Sequence, residues 1–515
     1  MKLDEVRRWA RGRGVRPARL RQVCEGALLH VASRMLQAMY RESSAARFST
    51  NRLLIGRGHT LALAARRLPF RRLEVTALPR RVRTVPALLR ALHRSLARTE
   101  YARLFPALRS DLENSVANVV LNRLLGASLG KKARAIEPAY QGHQYWPFPA
   151  LRIGPSLPQV LACSHLSKKA VSLPLLEIDD CRLVSTRFHS YAAFLHAWAG
   201  LKGGTLVPVH PWQLELSPVV REVLKQKAAS LSRHGLEMMP LASQRTCRVL
   251  RTGYDVKLPV DATLTGEHRL LYRLNLENAP LVSALAEDLL RDSGIGTLGF
   301  QADVAAIFHP RLGSHLSAIV RAPVRARTGE RLVPAINLWT GPHEARALLG
   351  GVPLEKFFAR YCRVLMEGPV VFYAQCGMAF EPHLQNVYVG LRDGLPARTV
   401  LRDLDNSILD ARRVRRRMAA LGDAAKGTWR HMPPYEDGGR RLVLAMLYGH
   451  LGEVICRLDE DLGADAVRLL AIVEHTWDEL EAVDRRAVRQ LRGWSDAVKT
   501  TLRTRLERAA TLRFR

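Results

Sequence analysis

Glu381-Pro-His383-Leu-Gln385-Asn386 runs into the apolar Val387-Tyr388-Val389, an Asp393-Gly394 pair follows, and Arg402-Asp403-Leu404-Asp405-Asn406 closes the segment. Asp-Gly between two runs of strand-forming residues signals a two-residue hairpin turn. The polar cluster and the acidic cluster are therefore expected at the same end of one β-hairpin. Asp403, Asp405 and the amide of Asn386 would form a hard-oxygen site there, of the kind that Mg²⁺ on a nucleotide's phosphates requires. His383 and Glu381 would stand beside it. A hairpin whose polar residues only cap its strands would give the same pattern.

A second constellation supplies the opposite charge. Ser243-Gln-Arg245-Thr246 precedes a β-like run, and Lys257 follows on the next. A turn near Thr252-Gly253 would set Arg245 and Lys257 side by side at one rim. Arg forks onto phosphate oxygens, Lys adds a point charge, and Ser and Thr hydroxyls donate to the same group. A surface hairpin in an Arg-rich chain is the alternative. Thr265 and Arg269 come next and add a cation suited to a second anionic substrate, or a solvent-facing Arg in a turn. Gly142-His143 with Arg152 and Gly154 makes a Gly/Pro-punctuated loop. In His210-Pro-Trp-Gln213 the Pro-flanked histidine reads as a packing element.

The elements that must position these groups fall into three textures. Up to about residue 130, apolar residues recur at helical spacing, as in Leu28, Val31, Leu36 and Met39, or Leu88, Leu89, Leu92 and Leu96, so a helical module is expected over 1–130. Over 131–332, short β-like runs alternate with Pro, Gly and a few helical intervals, which predicts an α+β domain on an antiparallel sheet. Over 333–515, a helix near Leu354, the hairpin and a run of helices predict a catalytic floor with helical backing. The fold class is α+β.

The 515 residues can bury a large core, and 47% apolar with 24% charged content is ordinary for a globular chain. The formal charge of +32 attracts anions. Aromatics are only 6% and the arginines are scattered, which disfavours a stacking platform for single strands; small polyanions such as ATP or a tricarboxylate suit the charge better. The N-terminus lacks an apolar signal core and no apolar run is long enough to span a bilayer, so a cytoplasmic protein away from the membrane is expected. Seven scattered cysteines without a C-x-x-C pair suggest neither disulfides nor zinc. No G-x-S-x-G, H-E-x-x-H, P-loop or G-x-G-x-x-G stands in a suitable context.

Together the motifs resemble the nonribosomal-peptide-synthetase-independent siderophore synthetases, the aerobactin-synthetase-like family. The matches run in order: Gly142-His143 to Arg152-x-Gly154, Val209-His210-Pro-Trp-Gln213, Ser243-x-Arg245-Thr246, Lys257, Glu381-x-His383-x-Gln385-Asn386, Arg402-Asp403-x-Asp405, and a closing Lys499-Thr-Thr-Leu502-Arg-Thr-Arg505-Leu506. The resemblance implies a thumb, fingers and palm fold. It also implies an enzyme that adenylates a carboxylate of citrate or a related di- or tricarboxylic acid with ATP and Mg²⁺, then passes the acyl group to an amine or alcohol.

By resemblance, Ser243, Arg245, Thr246, Lys257, His143, Arg152, Gln385 and Asn386 would bind ATP. Thr265, Arg269, His383 and Lys499 would surround the carboxylate substrate. His383, Arg269 and Glu381 would be catalytic, with Asp403, Asp405 and Asn386 at the metal. A polyamine or amino-alcohol nucleophile and a homodimer are further implications. The first loop departs from the family pattern G-H-P-x-H-P-x-x-K-x-R-x-G, because Gln144, Trp146 and Ala150 replace the Pro, the second His and the Lys. Two other readings compete: a kinase-like small-molecule phosphotransferase, which would release ADP, and a basic nucleic-acid-binding protein, whose affinity would fall steeply with salt.

Overall fold

The computed structural model describes residues 1–56, 59–70, 72–129, 136–137, 142–166, 169–202, 204–339, 341–410, 435–494 and 501–513. Helices α1 (Leu3–Gly12) and α2 (Pro17–Glu42) open the chain. Proline in the first turn of α2 supplies a pre-set φ where no intrahelical N–H bond is lost. Leu20, Cys24, Ala27, Leu28, Val31 and Met35 then bury one face of it.

An antiparallel meander of β1 (Ala46–Ser49), β2 (Arg52–Ile55), β3 (Leu61–Leu68) and β4 (Arg72–Ala77) comes next, before α3 (Val85–Leu96) and α4 (Phe105–Ala127). The helices expected here are present, but the meander corrects the reading of 1–130 as helical throughout. Its signal is a period of two: Leu61, Leu63 and Ala65 are buried while the residues between them are not.

The middle of the chain is β-rich. It comprises β5 (Arg152–Ile153), α5 (Leu157–Ala162), β6 (Val171–Glu177), β7 (Arg182–Ser185), α6 (Tyr191–Ala199), β8 (Leu206–Pro208), α7 (Pro211–Leu216), α8 (Pro218–Lys225), β9 (Ser230–Pro240), β10 (Thr246–Val249), β11 (Asp255–Lys257), β12 (Val260–Leu264), β13 (Glu267–Arg269), α9 (Arg273–Ser293), β14 (Leu298–Phe300), β15 (Asp303–Phe308) and β16 (Ser317–Arg321). Eight of these strands form one sheet in the order β7-β15-β16-β11-β10-β9-β6-β8, and every described pair is antiparallel. β13, β12 and β5 make a small second sheet beside it.

The last part holds β17 (Glu330–Pro334), α10 (Pro342–Leu349), α11 (Leu354–Cys376), β18 (Met378–Ala379), β19 (Val387–Arg392), β20 (Leu395–Leu401), β21 (Ile408–Leu409) and α12 (Tyr435–Val443). A π-helical stretch Leu444–Leu451 follows, then α13 (Gly452–Leu462), α14 (Ala466–Glu481), α15 (Arg485–Arg492) and α16 (Leu502–Arg513). β19 and β20 are the expected hairpin. Asp393 and Gly394 both have positive φ, 52° and 75°, as a type I′ turn demands. The sheet order is β14-β20-β19-β17, with β14 parallel to β20. A strand from the middle of the chain therefore completes this sheet, and the boundary expected at residue 332 falls inside β17. Among the described residues no helix is long and apolar enough to cross a membrane.

One apolar core runs through the N-terminal helices, the meander and the eight-stranded sheet, and it includes Leu502 and Leu506 of α16. A second is built by α11, the hairpin and the helices after it. A buried acid ties the ends of the chain together. Glu453 of α13 accepts from Arg34 of α2 at 2.5 Å and Arg72 of β4 at 2.6 Å, with Arg457 at 3.4 Å. Burial opposes its ionisation, but Arg34 and Arg72 hold its carboxyl well below the usual range.

Removing one member of such a cluster leaves the others charged and desolvated. Glu453→Ala should lower unfolding free energy by about 3–5 kcal/mol, read from urea denaturation followed by circular dichroism. A loss under about 1 kcal/mol would show that water replaces the carboxylate without cost.

Candidate active site

A cavity of about 270 Å³ lies where the eight-stranded sheet, the β12–β13 turn, the hairpin end and the π-helical stretch meet. Six basic side chains line it, Arg245, Lys257, Arg269, Arg321, Arg402 and Arg441, against three carboxylates, Glu267, Glu381 and Asp403. An excess of fixed cations in a concave site favours anionic ligands.

The loop before β10 forms the first wall. Leu241 donates to the Thr246 carbonyl and Gln244 to the Leu241 carbonyl, both at 2.8 Å, while Ser243 Oγ accepts from the Thr246 N–H at 3.0 Å. Gln244 takes φ of 65°, a strained value for a non-glycine residue. Its carbonyl is gripped by His210 Nε2 at 2.9 Å, whose Nδ1 accepts from the Trp212 N–H at 3.1 Å. The carbonyl fixes Nε2 as the protonated nitrogen, and burial pushes the imidazole down to about 4. His210 is thus a neutral brace, the packing role its Pro-flanked setting implied. In the register of β10 and β11, Thr246 rather than Arg245 lies opposite Lys257, although Arg245 and Lys257 both line the cavity. Burial, then the neighbouring Arg269, pushes the Arg245 guanidinium down to about 10.

Between this wall and the hairpin lies a buried ionic clamp. Lys257 Nζ, only 2% exposed, donates to Asp403 at 2.8 Å and to Asp405 at 2.7 and 2.9 Å. Arg321 at the end of β16 bonds Asp303 of β15 at 2.7 Å and also pairs with Asp403. Burial works against ionisation of Asp403, yet Lys257 and Arg321 keep its carboxyl well below the usual range. Asp303 is pushed up to about 6 by burial, against the pull of Arg321.

The hairpin end forms the facing wall. Arg402 donates its backbone N–H to the Asn386 carbonyl at 3.0 Å and its Nε to the Gln385 carbonyl at 2.8 Å. Its Nη2 reaches Glu137, whose other oxygen accepts from the Ala242 N–H at 2.6 Å, so one buried carboxylate joins the two walls. His383 sits with its ring 4.9 Å from that of His143. Behind it the π-helical stretch comes so close that a Cβ on Gly449 would lie 2.8 Å from His383 Cβ, hence glycine. His450 on the same stretch bonds the Pro382 carbonyl through Nδ1 at 2.9 Å and Tyr361 through Nε2. Burial pushes it down to about 3.

The β12–β13 turn completes the cavity. Arg269 Nη2 donates to Thr265 Oγ1 at 2.6 Å, and Thr265 has φ of 52°. Trp146 lies against the neighbouring Gly266, where a Cβ would meet its ring at 2.9 Å. The loop residue that departs from the family pattern therefore forms the wall beside Thr265.

Of the residues singled out from sequence, the structure brings together His143, Ser243, Arg245, Thr246, Lys257, Thr265, Arg269, Glu381, His383, Gln385, Asn386 and Asp403. It turns Arg152 away. Asn118 and Asn122 of α4 accept its guanidinium N–H groups at 3.0 and 2.9 Å, and Asn114 bonds its backbone, so Arg152 anchors the first loop instead of reaching ATP. Asp405 is likewise withdrawn, with its side chain 2% exposed and both oxygens on Lys257, so it braces the lysine in place of holding metal. Lys499 lies outside the described residues. Arg321, Glu137, Gly449 and His450 were not read from sequence. The asparagines at 114, 118 and 122, spaced by four on one helix face, were a readable sign that something polar docks on α4.

Among the described residues no group of three or more His, Cys, Asp or Glu is arranged to hold a metal ion. The donor set fits Mg²⁺ only as a partner to phosphate oxygens, through Asp403 and Asn386.

The family described as "IucA / IucC family" matches residues 132–340, and that described as "Ferric iron reductase FhuF-like transporter" matches 355–511. The second stretch contains three cysteines, Cys362, Cys376 and Cys456. Staphyloferrin A synthase of Staphylococcus aureus is 21% identical over 314 residues, 55% of this chain and 54% of that protein. Aerobactin synthase of Escherichia coli is 24% identical over 268 residues, 45% and 46%. An uncharacterized protein, y4xN of Sinorhizobium fredii, is 28% identical over 227 residues, 38% and 36%. The chain thus spans between about a third and a half of the length of the curated relatives it matches.

Two solved structures superpose with a TM-score of 0.72 at 15% identity. One is the petrobactin biosynthesis protein AsbB of Bacillus anthracis, covering 93% of each chain. The other is ATP-bound aerobactin synthetase IucA of Klebsiella pneumoniae, covering 89% of this chain and 93% of that one. At that identity the likeness establishes the fold.

His210 and His450 are neutral when folded, while their unfolded counterparts take up a proton below about pH 6.5. Stability is therefore lost as the pH falls, on the order of 2–3 kcal/mol per histidine by pH 4.5. Urea midpoints at pH 7 and 4.5 should show this fall, and His450→Gln should make it shallower. Equal wild-type and variant slopes would remove His450 from the account.

Proposed function

We propose, from the premise that this chain belongs to the nonribosomal-peptide-synthetase-independent siderophore synthetase family to which its IucA / IucC domain assigns it, that it is an ATP-dependent carboxylate–amine or carboxylate–alcohol ligase. The observation that carries this reading is one cavity in which the Ser243–Thr246 loop with Lys257 and the Thr265–Arg269 pair both face His383.

In the first step a carboxylate oxygen of citrate, or of a related acid, attacks the α-phosphorus of ATP, and the bond to pyrophosphate breaks. Two anions must meet. Arg245 offsets the charge on the phosphates, backed by the Lys257–Arg321 clamp, while Arg269, held by Thr265, orients the acid. Gln385 and Asn386 line the nucleotide side. Mg²⁺ on the phosphates, met by Asp403 and Asn386, would neutralise charge on pyrophosphate as it departs. In the second step a neutral amine or alcohol attacks the acyl carbon and AMP leaves. His383, beside Glu381 and His143, takes the proton that the nucleophile releases.

The test is release of pyrophosphate and AMP from Mg-ATP, with hydroxylamine as nucleophile and citrate, α-ketoglutarate, succinate or no acid. Acid-dependent pyrophosphate is expected, with citrate foremost. Arg245→Ala should lower kcat/KM by roughly 10²–10³-fold, and Arg245→Lys should restore only part of it, because lysine cannot fork onto two oxygens. ADP as the product would replace this reading with the kinase.

A further inference from the structure

A second cavity, of about 1150 Å³, opens between α2, α4, the β3–β4 strands and α13, behind the Arg34–Glu453 cluster. One side carries His30 of α2 and Arg123 of α4, with Arg34 close by; β4 and α13 carry Glu74, Glu460 and Asp461 together with Arg72 and Arg457. Arg34 and Arg72 share Glu453, but Arg123, half-buried, makes no ion pair among the described residues. His30 has cations around it, Arg34, Arg123 and Arg457, with Glu453 also near.

A half-buried guanidinium without a counter-charge keeps its capacity to pair with an anion. The chain accommodates it: Gly26 in mid-helix α2 leaves the space, since a Cβ there would lie 2.7 Å from Arg123 Nη1. Glycine is the weakest helix former after proline, so α2 gives up stability at this position. We propose that this cavity is a second ligand site, which binds the carboxylate or phosphate group of a small molecule between Arg123 and His30. The site is separate from the catalytic cavity and does not depend on the reaction assigned to it.

Inorganic phosphate is the probe, titrated calorimetrically into the full chain carrying Arg245→Ala and Arg269→Ala, which removes the main anion contacts of the first cavity. One saturable site should remain. Adding Arg123→Ala should weaken it roughly tenfold or more, as loss of a charge-assisted contact does. Adding Gly26→Ala instead should weaken it by displacing the guanidinium, with no drop in melting temperature, so lost binding is distinguished from lost folding. Absence of saturable binding in the double variant, or binding indifferent to Arg123→Ala, would overturn the proposal.

Discussion

Lys257 can be buried only because Asp403 and Asp405 accept its ammonium, and those carboxylates can be buried only because Lys257 and Arg321 neutralise them. The clamp joins β11, β15 and β16 of the large sheet to the end of the β19–β20 hairpin, which pack in different apolar cores. Buried ion pairs add little net stability compared with apolar packing, but a misplaced one is heavily penalised. The clamp therefore acts on position. Any sliding of the sheet against the hairpin separates charges in a medium that screens them poorly, so Arg245 and His383, on opposite sides of it, keep a fixed separation.

The rest of the site is preorganised by backbone groups held from behind. His210 and His450 each grip a carbonyl, Gln244 and Pro382, at the root of two loops that line the cavity, and burial keeps both rings uncharged. Gln244, Thr265 and Asp403 all carry positive φ and all line the cavity. Strained backbone costs energy that the surroundings must supply. Here those surroundings are visible: Glu137 bridges Ala242 and Arg402, and Trp146 covers the turn at Gly266. Dipoles set in advance need not reorganise when charge develops, which is how such a site lowers a barrier.

Local chemistry decided how much of this was legible. The hairpin could be read because Asp393-Gly394 admits few other conformations, and the approach of β10 to β11 because a turn at Gly253 joins them, though the register sets Thr246 rather than Arg245 opposite Lys257. The α+β class followed from texture. The meander at 46–77 was missed because its strands are rich in Ala and Arg, which weaken the β signal, and lie between two strongly helical stretches. Arg152 and Asp405 were given ligand roles because a polar residue in a motif says nothing about whether a protein group will reach it first. Arg321 was invisible for the opposite reason: it ends a strand buried at every position, where a single charge carries no pattern.

Helix α16 returns from the far end of the chain to the first core. Glu42 at the end of α2 accepts from the backbone N–H groups of Thr501, Leu502 and Arg503, and Arg505 forks onto Asp111 of α4 at 2.8 and 3.2 Å. Asp111 and Arg505 are 394 residues apart in the chain. A ribosome adding 5–20 residues per second makes them about 20–80 s apart. Throughout that interval the nascent N-terminal unit lacks the guanidinium of Arg505 and the apolar side chains of Leu502 and Leu506. The core that seats α4, and with it Arg152 on Asn118 and Asn122, is thus complete only when both distant parts of the chain are present.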